Sequence, residues 1–218
     1  MQEILQEKQH ISQENIAISD GYKNYENEEE KRLALKRENL IDILGSIRAC
    51  DQFTLEKFKE TDKNRDALEA VKKWEYKKSN IYLHGPVGSG KSHLQSIAIR
   101  NIKLNMGRAY VKKISQICRE IRACENAKQE IDIISTYSMC PVLGIDDLGQ
   151  EKITEFVASI LYEIIDGRYM NRPGGLIVTS NLSIENLASK LGDDRIPSRL
   201  VQMCSIYGLS GEKDWRLE

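Results

Sequence analysis

Long apolar runs are missing from this sequence. Its apolar stretches are short, such as residues 175–178, and none approaches the roughly 20 residues needed to cross a bilayer. The opening residues, Met-Gln-Glu-Ile-Leu-Gln-Glu-Lys, also lack the apolar core of a signal peptide. We therefore expect no membrane span and a cytoplasmic protein.

Net charge and cysteine are also scarce. The 32 basic and 33 acidic side chains leave a formal net charge of -1, so any basic surface for nucleic acid must be local. The five cysteines form no C-x-x-C pair and cluster with no histidine at zinc-ligand spacing, which favours ordinary reduced thiols. A chain of 218 residues has room for one α/β domain and a modest extension.

The extension is expected at the N-terminus, over residues 1–50. Its first part is rich in Gln, Glu, Asn and Lys and buries too little apolar surface to offset the chain entropy lost on ordering. Residues 33–47 place leucine and isoleucine near helical spacing. We expect a short extension that is mostly helical or mobile, followed by a domain over residues 51–218.

Strand and helix patterns alternate through this second region. We predict strands at 81–84, 109–111, 141–145 and 176–180, and helices at 66–78, 92–105, 115–128 and 153–171. Such alternation is typical of a three-layer α/β fold built on a parallel sheet.

The strongest motif, Gly-Pro-Val-Gly-Ser-Gly-Lys-Ser, lies between the first strand and the following helix. This context predicts a P-loop, in which glycines let backbone N–H groups approach phosphate oxygens at a helix N-terminus. Lys91 is expected to reach the β- and γ-phosphates and Ser92 to bind Mg²⁺. The alternative is a glycine turn without a ligand. The expected ATP-binding residues are Gly85, Pro86, Val87, Gly88, Ser89, Gly90, Lys91, Ser92 and His93.

Two aspartates end the third predicted strand, on the side of the sheet that faces the phosphates. Asp146 is the expected partner of Mg²⁺. Asp147 lies where many P-loop ATPases place a glutamate that polarises the attacking water, and its shorter side chain predicts slow hydrolysis. The alternative is that both acids only cap the next helix.

Polar residues also end the fourth strand. Among Thr179, Ser180 and Asn181, we select Asn181 as the side chain that orients water beside the γ-phosphate. A turn-forming asparagine is the alternative.

Arg195 and Arg199 are four residues apart, which puts both on one face of a helix unless that helix begins only at Pro197. Permanently charged guanidinium groups suit the transition state of phosphoryl transfer, commonly from a neighbouring subunit. A surface salt-bridge group is the alternative.

Taken in order, these motifs resemble the lidless AAA+ ATPases of the DnaC/DnaI helicase-loader and IstB group, from about Phe53 to the end. The matching stretches are 80–86, 90–94, 145–149, 161–169, 178–182, 195–200 and 214–216. The resemblance implies that Asn181 is the sensor residue and Arg199 the arginine finger, with Arg195 nearby and Arg216 close to the nucleotide. Only 19 residues follow Arg199 in this sequence, which fits a core without a helical lid.

The resemblance also implies binding of single-stranded DNA, for which we select Lys112, Lys113, Arg119 and Arg122. By residue type alone these cations are a solvated helix face. The implied function is an ATP-dependent loader of a replicative helicase that self-assembles through its arginine finger, with residues 1–50 as a possible partner-binding segment.

Three other functions remain open from the sequence. An IstB-like helper of a transposase shares the same ATPase core. A small-molecule kinase is disfavoured because no arginine-bearing lid or acceptor pocket is evident. A binding-only adaptor would use ATP as a structural ligand.

Overall fold

A computed structural model describes residues 53–106 and 109–210, with side chains described outside 101–106. The predicted helix at 33–47, the extension over residues 1–50 and Arg216 lie outside the described residues. No helix in the described ranges is long and apolar enough to span a bilayer.

Five parallel strands and seven helices make up the described chain. The strands are β1 (Asn80–His84), β2 (Ala109–Lys113), β3 (Val142–Leu148), β4 (Gly175–Ser180) and β5 (Cys204–Gly208). The helices are α1 (Arg65–Lys72), α2 (Lys91–Met106), α3 (Ile114–Arg122), α4 (Ala127–Met139), α5 (Glu155–Asn171), α6 (Ile184–Leu191) and α7 (Arg195–Met203). The strand order is β2-β3-β4-β1-β5, which confirms the predicted parallel α/β sheet.

Helices cover both faces of the sheet because the strands are apolar on both sides. In β1, Ile81 and Leu83 belong to the apolar cluster that includes α1 and α2, whereas Tyr82 between them belongs to the cluster that includes α3, α5 and α7. All three side chains are at most 2% exposed. The period-two alternation of a strand therefore serves two apolar layers, as a doubly covered parallel sheet requires.

Three predicted boundaries are wrong. The helix predicted over 66–78 ends at Lys72, and Trp74 lies beyond it with its indole N–H donating to the Ser79 carbonyl at 2.8 Å. The helix predicted over 115–128 is two helices, because Asn126 adopts an extended backbone and caps α4 through the Gln129 N–H. The third strand extends past Ile145, through both aspartates, to Leu148.

Strand β5 was not predicted, and the start of helix α7 was left open because of Pro197. β5 is a short edge strand in register with β1, from Asn80 opposite Cys204 to His84 opposite Gly208. α7 begins at Arg195 rather than at Pro197. Proline is tolerated there because the N–H groups of the first helical turn have no partner within the helix.

Candidate ATP site

The glycine-rich loop links the end of β1 to the start of α2. Gly85 has φ +149°, and a β-carbon at this position would overlap the carbonyl oxygen of Leu209. Gly90 has φ +94°, a backbone conformation that L side chains rarely adopt. The glycines thus hold a tight loop at the N-terminus of α2, where backbone N–H groups and the helix dipole favour an anion.

The Lys91 ammonium lies inside this loop. Its Nζ donates to the carbonyls of Gly85 at 2.8 Å and Pro86 at 2.7 Å, and Lys91 is 5% exposed. These acceptors are neutral, so phosphate oxygens in the same loop would give the ammonium stronger, charge-assisted hydrogen bonds. The phosphate contact of Lys91 stays a prediction.

The two residues predicted to hold Mg²⁺ lie together, although 54 positions separate them in the chain. Ser92 Oγ, in the first turn of α2, donates to Asp146 Oδ1 at 2.8 Å, and Thr179 Oγ1 donates to the same carboxylate oxygen at 2.7 Å. Hydroxyl and carboxylate oxygens are ligands that Mg²⁺ accepts, usually with phosphate and water completing the shell. The donor set therefore fits a magnesium ion that arrives with a nucleotide.

No group of three or more His, Cys, Asp or Glu side chains that could hold a metal occurs among the described residues. Mg²⁺ dehydrates reluctantly and is commonly held by one or two protein oxygens and substrate phosphates.

Asp147 lies in an irregular part of β3. Its φ is +56°, and the pairing with β4 shifts register between Ile145 and Leu148. Thr179 Oγ1 accepts the Asp147 backbone N–H at 2.9 Å, so one threonine hydroxyl ties both aspartates to β4. Such a local distortion re-aims a side chain, and the Asp147 carboxylate has other partners than that of Asp146.

Lys113 and Gln150 hold the Asp147 carboxylate. Lys113 Nζ lies 2.7 Å from Oδ2, and Gln150 Nε2 donates to Oδ1 at 3.1 Å. The hydrogen bond to Asp147 raises the pKa of Lys113 above its usual value. The structure therefore places Lys113, selected from the sequence as a DNA contact, directly on the predicted catalytic acid.

Asn181 follows β4 and is the predicted water-orienting residue. Its Oδ1 is buried and has no hydrogen-bond partner among the described residues. Buried amide oxygens are normally satisfied, and a bound water is a common solution. The residue that contacts Asp146 is Thr179, so the role of Asn181 remains a prediction.

The two predicted arginines lie on α7 against α5. Arg199 Nε donates to Asp166 Oδ1 at 2.6 Å, and its Nη2 donates to the Tyr162 hydroxyl at 3.1 Å. The guanidinium carbons of Arg195 and Arg199 lie 4.7 and 4.8 Å from the Tyr162 ring centroid. In the described chain, no hydrogen bond or ion pair joins either arginine to the P-loop, to Asp146 or to Asp147.

The other predicted DNA contacts have varied surroundings. Lys112 binds Glu120 at 2.8 Å with 14% of its side chain exposed, and Arg122 lies 4.8 Å from the Phe156 ring centroid. Arg119 is exposed on α3. Lys112 is therefore committed to an internal ion pair, while Arg119 and Arg122 remain predicted DNA contacts.

Sequence reasoning missed three residues that contact predicted site residues. Thr179 contacts Asp146, and Tyr162 and Asp166 contact Arg199. Thr179 stands in the polar triplet that ends β4, where Asn181 was selected instead. Tyr162 and Asp166 are four residues apart on α5 and thus on one helical face. That spacing was a signal, but nothing in the sequence indicates that α7 packs on this face.

Comparison with known proteins agrees with this geometry. The family model described as IstB-like ATP binding protein matches residues 25–217. An insertion-sequence ATP-binding protein of Sinorhizobium fredii is 28% identical over 115 residues, which cover 53% of this chain and 38% of that protein. One of Mycobacterium tuberculosis is 29% identical over 118 residues, covering 54% and 46%. The chain thus matches less than half the length of these relatives.

A solved structure shares the fold. The crystal structure of the DnaC helicase loader superposes with a TM-score of 0.60 and 20% identity, over 72% of this chain and 97% of that one. Together with the P-loop geometry, these similarities confirm a P-loop NTPase-like fold built on a parallel five-stranded sheet. The family model spans most of the sequence, so the chain belongs to the IstB-like ATP-binding protein family.

Proposed function

We propose that the chain is a magnesium-dependent ATPase whose ATP-bound form assembles on single-stranded DNA to load a replicative helicase. The observation that carries the ATPase proposal is the convergence of Ser92 and Thr179 on Asp146, at 2.8 and 2.7 Å, beside the loop that holds Lys91. This arrangement pairs a phosphate cradle with a set of magnesium ligands.

Each residue has a distinct task in hydrolysis. Lys91 binds the β- and γ-phosphates, and Ser92 and Asp146 hold Mg²⁺, which neutralises charge on the phosphates when bound. Asp147 accepts a hydrogen bond from the attacking water, and Asn181 orients that water through its unpartnered amide oxygen. The ion pair between Lys113 and Asp147 competes with water for the carboxylate, which supports slow basal turnover.

Arg199 supports self-assembly. Its contacts with Asp166 and Tyr162 hold the guanidinium on α7 and α5 rather than at its own P-loop. A fixed, permanently charged group on this surface suits insertion into the ATP site of a neighbouring subunit. ATP then favours assembly because the γ-phosphate gains a contact that ADP lacks, and hydrolysis removes it.

Two observations support the loader role. The motifs follow the order expected of loaders from Gly85 to Arg199, and the fold matches that of a protein described as the DnaC helicase loader. Residues 1–50 are the proposed helicase-binding segment. A second candidate, an ATPase helper of a transposase, is favoured by the relatives of Sinorhizobium fredii and Mycobacterium tuberculosis, both described as insertion-sequence ATP-binding proteins.

One set of measurements tests these proposals. We expect the purified chain to release phosphate from Mg-ATP faster with single-stranded DNA, to lose this activity in Asp147→Asn with ATP binding retained, and to capture a replicative helicase from host extract with ATP. Lys91→Ala, which we expect not to bind ATP, is the control variant. ATP-dependent capture of a transposase instead of a helicase would favour the second candidate. Absence of hydrolysis in the wild-type protein would reject the ATPase proposal.

A further inference from the structure

A second cavity lies at the opposite end of the sheet from the ATP site. It has a volume of about 220 Å³ and is bordered by Asn80 at the start of β1, Gly174 just before β4 and Met203 just before β5. Because the strands are parallel, their N-terminal ends lie together at one end of the sheet, and the P-loop follows the C-terminal end of β1 at the other. No residue of Gly85–Ser92 lines this cavity.

Its lining is strongly basic. Lys77, Lys78, Arg168 and Arg172 line the cavity, and no aspartate or glutamate does. Glu75 partly offsets this charge, since its Oε2 lies 2.6 Å from Lys78 Nζ in an exposed pair. Of the four lining cations, three therefore lack an ion-pair partner in the described part of the chain, although the whole protein is close to neutral.

Arg168 is the unusual member of this group, because it is 1% exposed. Its Nη1 donates to the carbonyls of Tyr137 and Cys140, both at 3.0 Å, and its Nη2 donates to the Gly175 carbonyl at 2.8 Å. The Nε atom has no hydrogen-bond partner among the described residues. Through these hydrogen bonds, Arg168 connects the end of α4 to the start of β4.

Carbonyl oxygens satisfy hydrogen bonds but supply no negative charge. Burial lowers the pKa of Arg168, which reflects the cost of keeping a guanidinium away from water. An unpaired buried charge is costly, and proteins normally offset it with a counter-ion. An anion in the adjacent cavity would offset this charge.

The shape of the cavity limits the anion. About 220 Å³ is below the roughly 300–1,000 Å³ of pockets that enclose drug-sized ligands, so the cavity suits a phosphate with its immediate substituents. Tyr76 and Tyr169 line the cavity and offer aromatic surface beside the cations. Tyr169 is held by its hydroxyl, which donates to Gln202 Oε1 at 2.7 Å.

We propose that this cavity is a second phosphate-binding site, separate from the P-loop, which takes the phosphate of a small anion or the phosphodiester of single-stranded nucleic acid. Arg168 supplies buried positive charge at the site. Lys77 and Arg172, both exposed, attract the anion and contact its oxygens. The site requires neither ATP hydrolysis nor Arg199 and therefore stands apart from the proposed ATPase activity.

The test uses the full chain with its P-loop saturated by Mg²⁺ and a non-hydrolysable ATP analogue. Pyrophosphate binding is measured by calorimetry, and binding of a labelled oligo-dT strand by fluorescence anisotropy. The test variant is the double substitution Lys77→Glu and Arg172→Glu, which leaves buried Arg168 intact. The control is Lys128→Glu, an exposed lysine near the N-terminus of α4 that does not line the cavity. Urea midpoints verify that both variants fold.

We expect the double variant to weaken binding at least tenfold, which is about 1.4 kcal/mol, because it removes charge-assisted contacts and introduces like charge beside the anion. Lys128→Glu should bind like wild type. If oligo-dT displaces pyrophosphate and responds to the same substitutions, the site takes phosphodiester; if only pyrophosphate responds, it takes small phosphates. The proposal is overturned if neither probe responds to the double variant, or if Lys128→Glu weakens both equally.

Discussion

Replacing Thr179 by valine should destabilise the protein because the buried threonine makes two partly buried hydrogen bonds through its hydroxyl. It donates to Asp146 Oδ1 at 2.7 Å and accepts the Asp147 N–H at 2.9 Å, and Thr179 is 0% exposed. Valine has nearly the same shape, but it leaves the Asp147 N–H without this acceptor and the Asp146 carboxylate without this donor.

The magnitude follows from these two losses. A hydrogen bond to a charged group contributes about 1.5–3 kcal/mol, and a buried unsatisfied N–H costs about 1–3 kcal/mol. The additional buried carbon of valine offsets about 0.8 kcal/mol. We expect the free energy of unfolding to fall by about 3 kcal/mol, and Tm to fall by about 6–12 °C for a chain of this size.

The assay is urea unfolding without nucleotide, alongside Mg-ATP affinity. Thr179→Ser is the matched control, because it keeps the hydroxyl and loses one methyl group, for about 1 kcal/mol. Affinity for Mg-ATP should fall in Thr179→Val more than in Thr179→Ser, since Asp146 loses a partner that orients it. Equal stability of the two variants would refute the assigned hydrogen bonds.

Three further predictions concern other parts of the chain. Gly85→Ala should cost more stability and more ATP affinity than Gly192→Ala, because both have positive φ but only the Gly85 β-carbon would strike a carbonyl; equal urea midpoints would contradict this. Asp166→Asn should lower kcat by about tenfold with ATP binding unchanged, since Arg199 loses the ionic partner that positions it. An unchanged kcat, measured at protein concentrations high enough for self-assembly, would count against this positioning by Asp166. Burial raises the pKa of Cys204 to about 12, so at pH 8 a thiol reagent should label half-buried Cys124 well before Cys204, as peptide mass spectrometry can show. Faster labelling of Cys204 would contradict its burial.

The parts predicted from sequence are those encoded locally. The P-loop needs glycines, a preceding strand and a following helix, all adjacent in the chain, and Asp146 follows from its place at the end of an apolar strand. The break between α3 and α4 was missed, although the sequence carries a local signal for it, because Asn126 followed three residues later by Gln129 is typical of a helix N-terminus.

The missed parts depend on contacts that join distant segments. β5 has only five residues at a sheet edge and is recognisable through its pairing with β1. Lys112 and Lys113 are adjacent, yet strand alternation sends one to Glu120 and the other to Asp147. Their different partners follow from the helices and strands around β2, which residue type alone does not reveal.

We propose that Arg199 of a neighbouring subunit completes each ATP site. Mixing two inactive variants tests it most directly: Lys91→Ala lacks the phosphate lysine but keeps Arg199, and Arg199→Ala has the reverse defect. We predict that neither hydrolyses ATP alone, whereas an equimolar mixture regains hydrolysis at sites that pair an intact P-loop with an intact Arg199. A mixture as inactive as its components, or full activity of Arg199→Ala alone, would contradict a shared site.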